Sequence, residues 1–161
     1  RKWQNQLMHG ALEGILEEVT EALDNGADID MATEKSAGHT ALQVALVHER
    51  KEVVRELIDR GADVDLADGD ANTPLMLVAS EKLPVEYAKE LVGRGGADRS
   101  LVNVKSQTAA DIAKKSGYQE LYQYLVSKAA GEDEERALKE IKRKREEEPQ
   151  KKTNGAVRKN N

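Results

Sequence analysis

The chain has 161 residues, of which 39% are hydrophobic and 34% are charged, and its formal net charge is −5. It contains no cysteine, which excludes disulfide scaffolds, thiol catalysis and cysteine-ligated metal sites. The first 128 residues carry a net charge of −7 and residues 129–161 carry +2. An acidic body disfavours nucleic acid as the main partner, because proteins bind it largely by neutralising phosphates.

No part of the chain is predicted to enter a membrane. No apolar run approaches the roughly 18 residues that a membrane-spanning helix needs. The N-terminal residues 1–5 lead into no apolar segment of a signal peptide. We therefore expect a protein of the cytoplasm, with the nucleus as the alternative location.

Two short phrases alternate along the first 128 residues. Gly-Ala-Asp-Ile-Asp at 26–30 returns as Gly-Ala-Asp-Val-Asp at 61–65 and, in shorter form, as Gly-Gly-Ala-Asp at 95–98. Thr-Ala-Leu at 40–42 returns as Thr-Pro-Leu at 73–75. Recurrence at this spacing predicts a repeat protein, in which each repeat is one supersecondary unit.

Each unit is predicted to be a helical hairpin followed by an extended link. A threonine before a short apolar run is a typical helix N-cap, and Pro74 follows Thr73 at the first helical position, where its missing N–H costs nothing. In the second unit the apolar run 53–58 has the spacing of an amphipathic helix. Gly61 ends that helix at a position that favours a left-handed conformation.

These phrases resemble the ankyrin repeat, a 33-residue unit with T-P-L-H-x-A at its first helix and G-A-D-V-[ND] after its second. The resemblance implies an all-α solenoid of stacked helix-turn-helix units with β-turn finger loops. Four repeats would cover 1–34, 35–67, 68–102 and 103–128. The residues that mark this architecture are Gly26, Thr40, Gly61, Thr73, Pro74, Gly95 and Thr108.

The chain departs from the ankyrin pattern at several places. The motif histidine is replaced in every repeat, by Met8, Gln43, Met76 and Asp111, so the hydrogen bonds that it makes between neighbouring loops are not predicted. The link near 35–36 is two residues longer than the pattern and should protrude. Repeat three has extra residues at 82–84 and 95–96, so we expect it to be the least regular unit, with Pro84 opening its second helix.

The resemblance implies a non-catalytic protein-binding module. In ankyrin proteins the finger loops and the exposed face of the first helices form a concave surface that binds other proteins. Because the body is acidic, we expect the partner protein to present a basic patch or segment. We further expect a monomer, and no cofactor, metal or small-molecule substrate. The candidate partner-binding residues are Met31, Lys35, His39, Val47, His48, Leu66, Asn72, Ser80, Glu81, Val104 and Gln107.

Several apolar residues of the links, and the single tryptophan, have two interpretations. Residues of the links, namely Met31, Leu66, Leu101, Val102 and Val104, either pack on neighbouring loops or form an exposed partner site. Trp3, the single tryptophan, either covers the end of repeat one or belongs to an interface, where tryptophan is enriched.

An enzymatic function is not predicted. The chain has three histidines, His9, His39 and His48, and their spacing does not place two of them one turn apart on a helix, as a metal site would require. No nucleophile elbow, phosphate-binding loop or dinucleotide-binding motif is present.

The composition changes after residue 128, where we expect a charged helical extension over 129–149 and a disordered tail over 150–161. The extension is predicted to be a solvated helix, supported by the i, i+4 pairs Glu132/Arg136, Glu135/Lys139 and Glu140/Lys144. Its basic cluster, residues 142–145, is either a charged helix face or a patch that contacts phosphates. The alternative function is therefore an adaptor that contacts nucleic acid or an acidic membrane through residues 142–152, which include this cluster.

Overall fold

A computed structural model describes residues 1–147, with Lys35 described by its backbone alone. Within this range the regular elements are all helices and none is a strand, which confirms the predicted all-α fold class. The predicted tail at 150–161 and the predicted helix end at Pro149 lie outside the described residues. The α-helices are α1 (Lys2–Glu13), α2 (Leu16–Asp24), α3 (Ala41–Val47), α4 (Lys51–Asp59), α5 (Pro74–Ser80), α6 (Val85–Gly93), α7 (Ala109–Lys115), α8 (Gln119–Leu125) and α9 (Lys128–Glu147).

The first eight α-helices form four hairpins, α1/α2, α3/α4, α5/α6 and α7/α8, which stack in chain order. First helices contact first helices, and second helices contact second helices, so the array has two rows. One apolar core runs through all four hairpins, because each hairpin can bury its apolar face only against its neighbours. Its largest fully buried side chains include Leu7, Leu42, Leu46, Leu57, Leu75, Met76, Leu91 and Leu121.

The predicted threonine caps are confirmed at three first helices. The hydroxyl oxygens of Thr40, Thr73 and Thr108 accept hydrogen bonds, at 3.1–3.3 Å, from the backbone N–H three residues later. Such a cap satisfies one of the backbone donors that a helix start leaves free, and is worth about 1 kcal/mol. The first helix of each of repeats two to four therefore begins at a fixed residue.

The turns inside the hairpins use a left-handed residue in every repeat. Gly14 and Gly117 have φ values of 78° and 75°, and Glu49 and Lys82 adopt φ values of 54° and 51° at the equivalent positions. The sequence did not reveal these last two, because a left-handed conformation costs a non-glycine residue about 1–2 kcal/mol. The stacking of the flanking helices holds both residues in place.

The links between repeats are tied together by hydrogen bonds at the repeat spacing. The backbone N–H of Asp63 donates to Oδ1 of Asp30, and that of Asp98 donates to Oδ1 of Asp65, both at 2.9 Å. In repeat two, Gln43 stands at the position of the motif histidine, and its Nε2 donates to the carbonyl oxygen of Leu66 at 3.3 Å. The two aspartates and this glutamine thus supply hydrogen bonds between neighbouring repeats. These bonds were not expected, because the motif histidine is replaced in every repeat.

Ion pairs join the second helices of neighbouring repeats. Arg94 of repeat three contacts Asp59 of repeat two at 3.0 Å, and Arg55 of repeat two contacts Glu90 of repeat three at 2.8 Å. Burial raises the pKa of the Glu90 carboxyl, but hydrogen bonds from Arg94 and Arg55 outweigh burial, and the pKa is below its ordinary value. Glu90 therefore stays ionised and holds both arginines at the repeat boundary.

Repeat three contains the predicted irregularities. Pro84 is the N-cap of α6, and Leu83 from the extra segment before it is buried in the core. At the end of α6, the left-handed glycine equivalent to Gly26 and Gly61 is Gly96, not the predicted Gly95. Gly95 has another role, because a Cβ atom there would lie 2.6 Å from Cγ1 of Val64 in the previous repeat.

The charged C-terminal helix expected over 129–149 is α9, but it is not fully solvated, because α9 packs against α6 and α8 and buries Ala130 and Ala137. Of the three predicted i, i+4 pairs, only Glu135 with Lys139 is an ion pair among the described residues, at 3.1 Å. Arg136 pairs with Asp133 instead, and Glu140 with Arg143. No helix within residues 1–147 is both long enough and apolar enough to cross a membrane.

Candidate functional site

The candidate residues on the first helices form one row across the array. Val47 and His48, like Ser80 and Glu81, directly precede the left-handed residue of their hairpin turn. Leu12–Glu13 and Lys115–Ser116 hold the same place in repeats one and four. We call these four residue pairs the helix-end row. Because the first helices contact each other in sequence, the row is continuous along the stack.

The apolar members of the helix-end row lie in repeats one and two. Leu12 and Val47 hold equivalent positions on the adjacent helices α1 and α3, and they are 37% and 39% exposed. Arg50 lies beside them, and its Nε donates to the carbonyl oxygen of Leu12 at 2.9 Å. Accessible apolar side chains beside an arginine are typical of protein-binding surfaces.

The structure separates the candidate finger residues into exposed and bonded ones. Met31 is 48% exposed and Val104 is 66% exposed. His39 is half-buried, with its Nδ1 3.3 Å from Oε1 of Gln43, and Leu66 is half-buried beside the same glutamine. The Lys35 side chain, also a candidate, is outside the described part of the chain.

The finger loops at the start of repeats three and four, residues 68–72 and 103–107, are joined to each other by hydrogen bonds. The amide nitrogen of Asn103 donates to Oδ1 of Asn72 at 3.1 Å and to Oε1 of Gln107 at 3.2 Å. The backbone N–H of Val104 also donates to the carbonyl oxygen of Asp70 at 3.1 Å. Two of the candidates, Asn72 and Gln107, therefore help to fix the finger loops. Asn103, which sequence analysis did not single out, organises both contacts.

Of the apolar link residues with two interpretations, some are packed and some are accessible. Leu101 packs partly against the core. Val102 is exposed, as are Met31 and Val104. Trp3 is partly buried against the core, with the Lys2 amine 4.6 Å from the centre of its ring.

The exposed charges of this surface change along the stack. Glu13 of repeat one, Glu34 of the link before repeat two, and Asp70 and Glu81 of repeat three are exposed carboxylates. Repeat four instead exposes lysines at 105, 114 and 115. The surface is therefore more acidic over repeats one to three than over repeat four.

The three histidines are separated in the fold. His9 contacts Glu18 at 2.6 Å, and this hydrogen bond raises the pKa of His9. His39 lies in a finger, and His48 is exposed at the end of α3. Within residues 1–147, no group of three or more histidine, cysteine, aspartate or glutamate side chains is placed to hold a metal ion.

Comparisons with known proteins agree with this architecture. Residues 37–69, which contain α3 and α4, match the family model of the ankyrin repeat. The chain is 33% identical over 109 residues to Protein glp-1 of Caenorhabditis elegans. This aligned segment makes up 64% of this chain and 8% of that protein. It is 29% identical over 127 residues to Ankyrin repeat and SAM domain-containing protein 6 of Danio rerio. That aligned segment makes up 79% of this chain and 17% of the relative.

The chain thus spans less than a fifth of the length of either relative. The matched segment coincides with the best-formed hairpin and its flanking links, and the same hairpin recurs in three stacked neighbours. On the family match and the stacked hairpins together, residues 37–69 are an ankyrin repeat within a stack of similar helical hairpins.

Proposed function

We propose that the chain is a non-catalytic module that binds a partner protein on the helix-end row and the finger loops. Ankyrin repeats generally act in protein–protein interactions, and the family is typically non-catalytic. The observation that carries the proposal is the exposure of Leu12 and Val47 at equivalent positions of adjacent first helices, next to buried neighbours such as Leu46. More than a third of each side chain remains accessible to a partner in the stacked array.

The partner is proposed to present apolar side chains flanked by basic ones. The apolar pair Leu12 and Val47 lies in the part of the surface where exposed carboxylates, such as Glu13 and Glu81, outnumber exposed lysines. Opposite charges steer a partner to such a surface and raise the association rate, and salt weakens this effect. A stacked array also loses little conformational freedom on binding, which lowers the cost of association.

The chain is proposed to act as a monomer inside the cell. We favour the helix-end row over the basic cluster at 142–145 as the main contact. Arg143 of that cluster is already paired with Glu140 and Glu147 of the same helix, at 2.6 and 2.7 Å. These carboxylates reduce the positive potential that phosphates would meet.

The test is the substitution Val47→Glu, which places a charge in the apolar part of the row. Partners are first captured from the native cell on the immobilised wild-type chain, and the affinity of each purified partner is then measured for the variants. We expect at least tenfold weaker binding by Val47→Glu, because a charged side chain at an interface core must be desolvated. The wild-type association rate should also fall as salt rises.

The matched control is Gln123→Glu, which also adds one negative charge, at an exposed residue of α8, in the row of second helices. It should leave partner affinity unchanged, and circular dichroism should show that both variants keep the wild-type helix content. If Val47→Glu combined with Asn72→Arg retains every partner at wild-type affinity, the proposed face is wrong. An acidic partner whose association is insensitive to salt would contradict the charge argument.

A further inference from the structure

The C-terminal helix α9 lies in a groove on the second-helix side of the array, which we call the outer groove. Gly96, at the end of α6, forms its deepest part, since a Cβ atom there would be 2.9 Å from Cδ2 of Leu138 and 3.6 Å from Cδ1 of Ile141. The equivalent glycines of the first two repeats, Gly26 and Gly61, have nothing within 4 Å of that position. The close contact with α9 is thus specific to the glycine of repeat three, where the chain has its extra glycine.

The outer groove also holds α9 by charge complementarity. Nε of Arg99, in the link after α6, donates to Oε2 of Glu134 at 2.9 Å, and this pair is largely shielded from solvent. The hydroxyl of Tyr124 on α8 donates to Oδ2 of Asp133 at 3.3 Å, with the Lys89 amine 5.7 Å from the ring centre. Burial and the neighbouring Asp133 charge raise the pKa of the Tyr124 phenol, so it remains a donor. Cationic and donor groups of the groove therefore face adjacent carboxylates in the first half of the helix, whereas Asp63 and Asp65 line the same groove as Lys142.

The apolar part of this contact is small. The side chains of α9 that face the groove recur at helical spacing, but only Ala130 and Ala137 are buried. Leu138 remains 49% exposed, and Ile141 is half-buried. A helix that buries two alanines and parts of two larger side chains leaves much of the possible apolar contact unused. A second helix with the same polar pattern and a fuller apolar stripe would bind the groove better.

We propose that the outer groove is a second protein-docking site, which α9 occupies and which an amphipathic helix of a partner, with acidic residues in its first half, enters by displacing α9. Recognition is of the helix-in-groove kind, in which a few side chains on one helical face carry the contact. The displacing helix carries two adjacent carboxylates for Arg99 and Tyr124. A small residue follows at the place of Ala137, with large apolar residues at the places of Leu138 and Ile141.

The test asks whether a free helix of this pattern binds when α9 is released. The full chain with Leu138→Asp/Ile141→Asp should release α9 without unfolding the repeats, because both side chains are partly exposed and lie outside the core of the hairpins. The probe is a fluorescein-labelled peptide of residues 128–147 with the wild-type sequence, and its binding is followed by fluorescence anisotropy. Glu134→Arg in the full chain is a second release variant, which acts on the ion pair alone.

We expect saturable binding of the peptide to both release variants and at least tenfold weaker binding to the wild-type chain, whose groove is filled. The control peptide with Leu138→Asp/Ile141→Asp should not bind. Adding Arg99→Glu to the Leu138→Asp/Ile141→Asp chain should weaken binding at least tenfold. Adding Val47→Glu should not change it, because Val47 belongs to α3 in the other row, so this proposal and the proposed function fail separately.

Three results would overturn the proposal. Absence of saturable binding to both release variants would mean that α9 docks only through its covalent connection. Equal binding to the wild-type and released chains would place the peptide elsewhere on the molecule. A stable wild-type dimer in light scattering, lost on Leu138→Asp/Ile141→Asp substitution, would make a second copy of the chain the occupant instead of a partner protein.

Discussion

Replacing Gly95 by alanine is expected to lower the free energy of unfolding by about 1–3 kcal/mol. A Cβ atom at this position would lie 2.6 Å from Cγ1 of Val64 and 2.8 Å from the carbonyl oxygen of Leu91. The carbonyl cannot easily turn away, because it accepts a hydrogen bond from the backbone N–H of Ala97 at 3.0 Å. The new methyl group would therefore push repeats two and three apart where they meet.

The control is Gly69→Ala, since a Cβ atom at Gly69 would meet nothing within 4 Å. Gly69, like Gly95, is absent from the residues with positive φ, so neither substitution introduces left-handed strain. Urea unfolding of the two variants and the wild-type chain measures the difference. Equal stability of the two variants would show that the close contact between repeats two and three does not exist.

Replacing Leu57 by alanine is expected to cost about 2–5 kcal/mol, the range for a buried leucine that leaves a cavity. Leu57 is fully buried on α4, and α4 contacts the second helices of the repeats on both sides. The carbonyl oxygen of Leu57 accepts a hydrogen bond from the backbone N–H of Ala62, as that of Ala22 does from Ala27 in repeat one. The cavity would lie inside the array, where stability depends on the interfaces of neighbouring repeats.

Thermal and urea unfolding of Leu57→Ala should be compared with Leu12→Ala, which removes the same atoms from a side chain that is 37% exposed. The exposed variant should lose clearly less stability, because its atoms are only partly removed from water. A loss below about 1 kcal/mol for Leu57→Ala would contradict a continuous core through repeat two.

The repeat architecture could be predicted from the sequence because local signals specify it. Thr40, Thr73 and Thr108 act as caps through side chains that bond only three residues further on. The left-handed conformations of Gly26 and Gly61 are likewise local requirements of a helix end. Such signals do not depend on what packs against the segment, so they can be recognised in one sequence.

The position of α9 could not be predicted, because its contacts join residues far apart in the chain. Glu134 contacts Arg99 across 35 residues, and Leu138 lies against Gly96 across 42 residues. The helix itself is dominated by charged residues, and its apolar face is too short to indicate burial. Only the groove at Gly96 makes that face sufficient.

The candidate binding surface lies between these two cases. The places of Val47, His48, Ser80 and Glu81 follow from the repeat pattern, and the structure puts them in the expected row. Their exposure differs from that of Asn72 and Gln107, which are bonded within the fingers through Asn103. Stacking constrains the buried residues of a repeat but leaves the outward-facing ones free, so the repeat pattern locates the surface without defining its ligand.

Distances between spin labels test most directly whether the four hairpins stack into one array. Glu17, Glu52, Glu86 and Glu120 are exposed second residues of α2, α4, α6 and α8, and the absence of native cysteine allows labelled cysteines to be placed at chosen pairs of them. With helices packed 8–10 Å apart, labels at 17 and 86 should be about 20 Å apart and labels at 17 and 120 about 30 Å apart. Narrow distances that increase in this order are predicted; a 17–120 distance no longer than the 17–86 distance would contradict the stacked array.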